Sequence, residues 1–127
     1  QPGFKTHEQK TKQTGKFSFG RRPTLDVEAT PMGTYQAIVY RAIGEQWYRQ
    51  CDLNRDLIVT GTVRIRILIN KNGKISSMRQ TSRVGASEVQ KSFTFLAIKL
   101  ARLPAMPPEV RSMLVGDSLE MYFDFNF

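Results

Sequence analysis

Few residues in this chain are spaced for bond-making chemistry. The only histidine, His7, has no second ligand near it in sequence, so neither a metal site nor a general base can be built around it. The only cysteine, Cys51, excludes an internal disulfide. It reads as a small buried hydrophobe, with a bridge between two chains as the alternative. Asp52 and Asp56 flank Arg55, a pattern read as a solvated loop rather than acid–base machinery. Nucleophile–histidine–acid arrangements and phosphate-cradling glycine motifs are missing from the sequence. No catalytic residue, metal or cofactor is expected, and the chain is not expected to be an enzyme. What remains is the chemistry of recognition. Arg64, Arg66 and Arg79 offer positive charge, while Glu120, Tyr122, Asp124 and Asn126 offer acceptors and an aromatic ring. The net charge of +8 invites an anionic partner, but +3 of it falls in residues 1–33 and +5 in the rest, so it is spread rather than striped.

These polar groups need a scaffold, and the last stretch supplies its clearest element. In Ser118–Phe127, Leu119, Met121, Phe123, Phe125 and Phe127 alternate with Glu120, Tyr122, Asp124 and Asn126. Successive side chains of a strand point to opposite faces, so five large apolar groups line one side. Burying each is worth roughly 1.5–3 kcal/mol, which fixes the register against a one-residue slip. A terminal strand is expected at a sheet edge, where unpaired main-chain groups are either guarded or used.

The other elements follow in order. Residues 1–33 are rich in Lys, Gln, Thr, Gly and Pro without periodicity and read as a flexible linker, with Phe17 and Phe19 as candidates for packing onto the domain. From Thr34, read as a cap, Tyr35, Ile38, Val39, Ala42, Ile43 and Trp47 form one face of a helix to about Asp52. Trp47, on that stripe, reads as core. Val63, Ile65, Ile67 and Ile69 alternate with Thr62, Arg64, Arg66 and Leu68 in a half-buried strand. Asn70–Gly73 is hairpin-turn chemistry, and the three-residue gap from Ile75 to Met78 predicts a bulge near Ser76 and Ser77 in the next strand. Ser87 and Gln90 predict a capping box on a helix to about Ala101 that buries Val89, Phe93, Leu96, Ala97 and Leu100. Pro104, Pro107 and Pro108 then predict an extended connector without further helix. The sum is an α+β two-layer sandwich in the order α-β-β-α-β. Its three-stranded antiparallel sheet has the order 2-1-3, with two helices on one face, over residues 34–127. Arg64 and Arg66 then lie beside Asp124 and Glu120.

The run Tyr35-x-x-x-Val39-x-x-Ala42-Ile43-x-x-x-Trp47, followed by Gly61-Thr-Val63-x-Ile65-x-Ile67-x-Ile69-x-x-x-Gly73-x-Ile75, carries a resemblance. With Leu103-Pro104-x-x-Pro107 and the alternating last strand, it resembles the C-terminal periplasmic domain of the TonB/TolA energy-transducer family. The resemblance implies an inner-membrane protein with its anchor outside this stretch, and the start at Gln1 rather than Met leads to the expectation of an excised fragment. It further implies work with a proton-driven motor complex and docking of a peptide from an outer-membrane receptor or periplasmic protein. The docking edge so implied is Leu119, Glu120, Met121, Tyr122, Phe123, Asp124, Phe125, Asn126 and Phe127. An edge guarded by Asp124 and Glu120, or paired with a second copy to give a homodimer, is the bland alternative. A nucleic-acid-binding module using the basic sheet face with Tyr122 is the rival class.

Overall fold

The computed structural model describes residues 15–20 and 29–127; His7 lies outside them. Helix α1 spans Pro31–Leu53. Thr30, not Thr34, is its cap: the Thr30 hydroxyl accepts from the Gly33 N–H at 3.0 Å. Pro31 follows at the first turn, where its missing N–H costs nothing, and this pair starts the helix earlier than periodicity suggests. Trp47 is fully buried, and its indole N–H donates to Thr94 Oγ1 at 3.0 Å.

Strands β2 (Thr62–Asn70) and β3 (Ile75–Val84) form the expected antiparallel hairpin. Asn70 Oδ1 holds the turn by accepting from the N–H groups of Asn72 and Lys74 at 2.9 and 3.0 Å. Leu68 faces Ser77 while Ile69 faces Ile75, so Ser76 is the extra residue of the expected bulge. A second irregularity, unforeseen, leaves Thr81 extra between the Arg64–Ser82 and Ile65–Gln80 pairs.

Helix α2 (Glu88–Leu100) carries the capping box of Ser87 and Gln90. Its buried face is only in part the expected one, since Phe93 and Ala97 hold while the face turns away from the other three. Phe93, Thr94, Ala97, Ile98 and Gln90 are buried, whereas Val89, Leu96 and Leu100 stay 46%, 42% and 46% exposed. The reason is polar satisfaction. Gln90 Nε2 donates to the Val59 carbonyl at 2.9 Å, and Thr94 receives the indole of Trp47, so two polar residues can face the core without loss. Counting apolar residues alone rotates the helix. The proline connector is extended through Pro107, but Pro108 opens a short helical turn, α3 (Pro108–Arg111), where a first-turn proline is tolerated.

Strand β4 (Ser118–Asn126) pairs with β2 over an unbroken register from Ser118–Asn70 to Asn126–Thr62. Leu119, Met121, Phe123 and Phe125 are buried beneath the helices, as their alternation predicts. The sheet itself needs correcting. A fourth strand, β1 (Gly15–Ser18), runs parallel to β4, so the described residues form an α+β fold with a mixed four-stranded sheet of order β1-β4-β2-β3 and three helices. The order expected for the last three strands holds, but the purely antiparallel three-stranded sheet does not. Within the stretch read as a linker, Phe17 packs onto the domain as expected, at only 1% exposed, but it does so as part of a strand. A segment of four residues is too short for a period-two count, so its burial was visible only in Phe17 itself.

Candidate functional site

The edge of β4 facing away from β2 is the place to look for recognition, and β1 occupies part of it. Gly15, Lys16, Phe17 and Ser18 lie in register with Phe123, Asp124, Phe125 and Asn126. The Phe19 N–H extends the pairing by donating to the Asn126 carbonyl at 2.8 Å. Among the described residues no strand pairs Ser118–Tyr122 on this side. The expected free edge is therefore sealed over Phe123–Asn126 and unpaired by any described strand over the rest.

On its other side β1 meets helix α1 rather than another strand. Main-chain groups alternate direction along a strand, so those of Lys16 and Ser18 point away from β4. The Tyr40 hydroxyl donates to the Lys16 carbonyl at 2.6 Å, and the Tyr48 hydroxyl donates to the Ser18 carbonyl at 3.2 Å. The Ser18 N–H in turn donates to the Tyr48 oxygen at 3.4 Å. Burial, with the nearby Tyr48 adding to it, pushes the Tyr40 phenol up to about 12, so Tyr40 is a donor at neutral pH.

Between these two rails lies an aromatic slot. The Phe17 ring stacks on Tyr40 with centroids 4.4 Å apart and on Phe125 at 4.9 Å, both nearly parallel. Phe123 and Trp47 close in at 5.6 and 5.9 Å. Two glycines make the fit. A Cβ at Gly15 would stand 2.2 Å from Tyr40 Cδ1, and one at Gly44 would stand 2.9 Å from Phe17 Cε1. Tyr40, Gly44 and Tyr48 recur every fourth residue, a second stripe beside the one that carries Val39, Ile43 and Trp47. That spacing is the signal that would have located the slot.

The open face of the sheet is less available than its sequence suggests. Arg64 grips Asp124 through two hydrogen bonds of 2.6 and 3.1 Å, and Arg66 is bonded to Glu120, which also receives the Tyr122 hydroxyl at 3.4 Å. These bonds raise both guanidinium pKa values. Asn126 Oδ1 accepts from Thr62 Oγ1 at 3.1 Å. The four polar side chains expected to select a partner thus already bind β2 or one another, and two of the three arginines offered to a nucleic acid are neutralised. Cys51 is fully buried with its thiol pushed up to about 12, chiefly by burial, which removes it from bridging two folded chains. Asp52, expected in a loop, sits in the last turn of α1, where its exposed carboxylate pairs with Arg55 at 2.7 Å. No group of metal-ligating side chains is found among the described residues.

Fold and site together define an α+β domain in which a short strand is held between a sheet edge and a helix. No protein-family model matches the chain, and no curated protein matches its sequence.

Proposed function

We propose that this chain is the partner-binding domain of a TonB/TolA-type energy transducer, taking an extended peptide by strand addition along β4. One observation carries the reading: the outer edge of β4 holds a strand, β1, that comes from a distant part of the chain and runs parallel to it. An edge that accepts such a segment has the geometry strand addition requires. Main-chain hydrogen bonds then provide affinity, and alternate side chains provide selectivity. The order of helices and strands from α1 to β4 agrees with the resemblance.

In this reading the peptide belongs to an outer-membrane receptor or periplasmic protein, and the domain works in the periplasm. In the same reading, other segments of the protein supply the inner-membrane anchor and meet the proton-driven motor complex. No helix among the described residues is long and apolar enough to cross a membrane. Amide hydrogen exchange tests the proposal, with peptides from the periplasm-facing segments of outer-membrane receptors encoded in the same genome. Slowed exchange in Ser118–Asn126 is the expected result. Protection confined to the helices, or none with any peptide, would sink it.

A further inference from the structure

We infer that Gly15–Ser18 is a built-in stand-in for the partner, and that the groove selects peptides of the pattern Gly–x–aromatic–x entering parallel to β4. This rests on the strand-addition reading above and specifies the ligand of that edge.

The contacts on β1 divide into two kinds. Those to its backbone are independent of sequence: β4 bonds one side, while the hydroxyls of Tyr40 and Tyr48 hold the carbonyls of Lys16 and Ser18 on the other. Any extended segment laid in the same place meets the same donors. A lone strand at a sheet edge would leave its outer carbonyls to water, whereas this one has a helix face fitted to them.

The side-chain contacts are demanding at two positions and lax at the others. At the first, Tyr40 stands where a Cβ would go, so the residue must be glycine. Two positions on, the slot formed by Tyr40, Phe125, Gly44 and Trp47 takes a flat ring, since Gly44 is what allows the ring to approach the helix. Between them Lys16 is exposed, which leaves that position open to any side chain. Specificity for an aromatic comes from stacking on two rings at once, a contact that a branched aliphatic cannot reproduce.

β1 has four residues, and no described strand pairs the rest of this edge, from Tyr122 back to Ser118. A longer peptide that satisfies the slot also gains the main chain of Ser118–Tyr122, which β1 does not use.

The probe is a fluorescein-labelled, C-terminally amidated peptide of sequence QTGKFSFG, copied from residues 13–20. The Gly15→Val chain, in which β1 is pushed out by Tyr40, is compared with the unaltered chain by anisotropy. Because an occupied groove weakens apparent affinity by the fraction left free, Gly15→Val should bind the probe about tenfold or more tightly than the unaltered chain. Probes carrying Gly15→Val or Phe17→Ala should lose about tenfold or more in affinity, as expected when a buried anchor is removed. Excess probe on the unaltered chain is the second measurement and depends on no variant folding. It should release exchange protection in Gly15–Ser18 while Phe123–Asn126 keep theirs. If all three probes protect Phe123–Asn126 equally, the side-chain rule fails and strand addition survives. If excess probe changes neither segment in either chain, both fail. Concentration-dependent dimers of the Gly15→Val chain in sedimentation would make β1 an exchanged arm between copies and overturn the stand-in.

Discussion

The two outer strands of the sheet handle the same physical problem in different ways. A sheet edge carries a row of unpaired N–H and C=O groups that invites association. β3 meets it with irregularity: bulges at Ser76 and Thr81 break its ladder, and exposed Arg79 and Arg83 place charge along it. β4 has an unbroken register with β2, and its own charges, Glu120 and Asp124, are tied to Arg66 and Arg64 of that strand. Instead its outer side is covered by a four-residue strand whose far side is held by tyrosine hydroxyls. One edge is spoiled against pairing, while the other keeps regular strand geometry and is occupied. Regular geometry under a short cover is what a docking edge needs, and the contrast directs attention to β4 rather than to β3.

The comparison breaks first at Phe17. If β1 is integral to the core, Phe17→Ala leaves a cavity beside Tyr40 and Phe125 and costs about 3–5 kcal/mol. If β1 instead detaches as a unit, the loss cannot exceed its docking free energy, because the rest of the domain stays folded. Urea unfolding with hydrogen exchange separates the cases. A full loss with all elements exchanging together would make β1 as fixed as β2 and count against displacement. A smaller loss with Gly15–Ser18 exchanging alone is the expected result.

The tyrosine rail gives the next effect. Tyr40→Phe removes the bond to the Lys16 carbonyl and should cost about 0.5–1.5 kcal/mol, leaving the ring stack in place. Alkaline pH acts on the same group. Tyr40 and Cys51 both hold their protons more tightly folded than unfolded, each pushed up to about 12 from ordinary values of 10.0 and 9.0. Their contribution is therefore intact below those ordinary values and is lost as pH climbs through about 12. Unfolding midpoints should fall from near pH 9 upward. Cys51→Ala should flatten the onset, and Tyr40→Phe the part above pH 10. An unchanged slope in Tyr40→Phe would mean that this phenol does not govern the alkaline loss.

Much of the architecture was legible because strong periodicity and burial agree. The alternations in β2 and β4 fixed both strands, their pairing, and the Arg64–Asp124 and Arg66–Glu120 contacts. The three-residue gap between Ile75 and Met78 located the bulge at Ser76. What escaped was held by tertiary fit rather than pattern. β1 is short, polar on one side, and recognisable only once Tyr40, Gly44 and Tyr48 are seen as a stripe awaiting something to cover. Helix α2 was rotated for a related reason: Gln90 and Thr94 are buried through specific hydrogen bonds that no hydropathy count registers. The candidate site was thus half legible: its edge and the packing of Phe17 from the sequence, the strand that carries Phe17 only from the fold.

The smallest effect concerns the guarded edge, where Arg79 lies directly opposite Arg66 in the β2–β3 register. Arg66 is already bonded to Glu120, so Arg79 adds a like charge to a satisfied pair. Replacing it with threonine relieves that opposition and suits a half-exposed strand, so Arg79→Thr should stabilise the domain by about 0.2–1 kcal/mol. The gain should shrink in about 1 M salt, where screening removes the repulsion. If the bulges at Ser76 and Thr81 are enough to spoil the edge, this variant remains monomeric in sedimentation although a charge has gone. Self-association on losing Arg79 would show that charge, not irregularity, keeps β3 apart. The two edges would then differ in degree only, and a preference for docking at β4 would have to come from the aromatic slot alone.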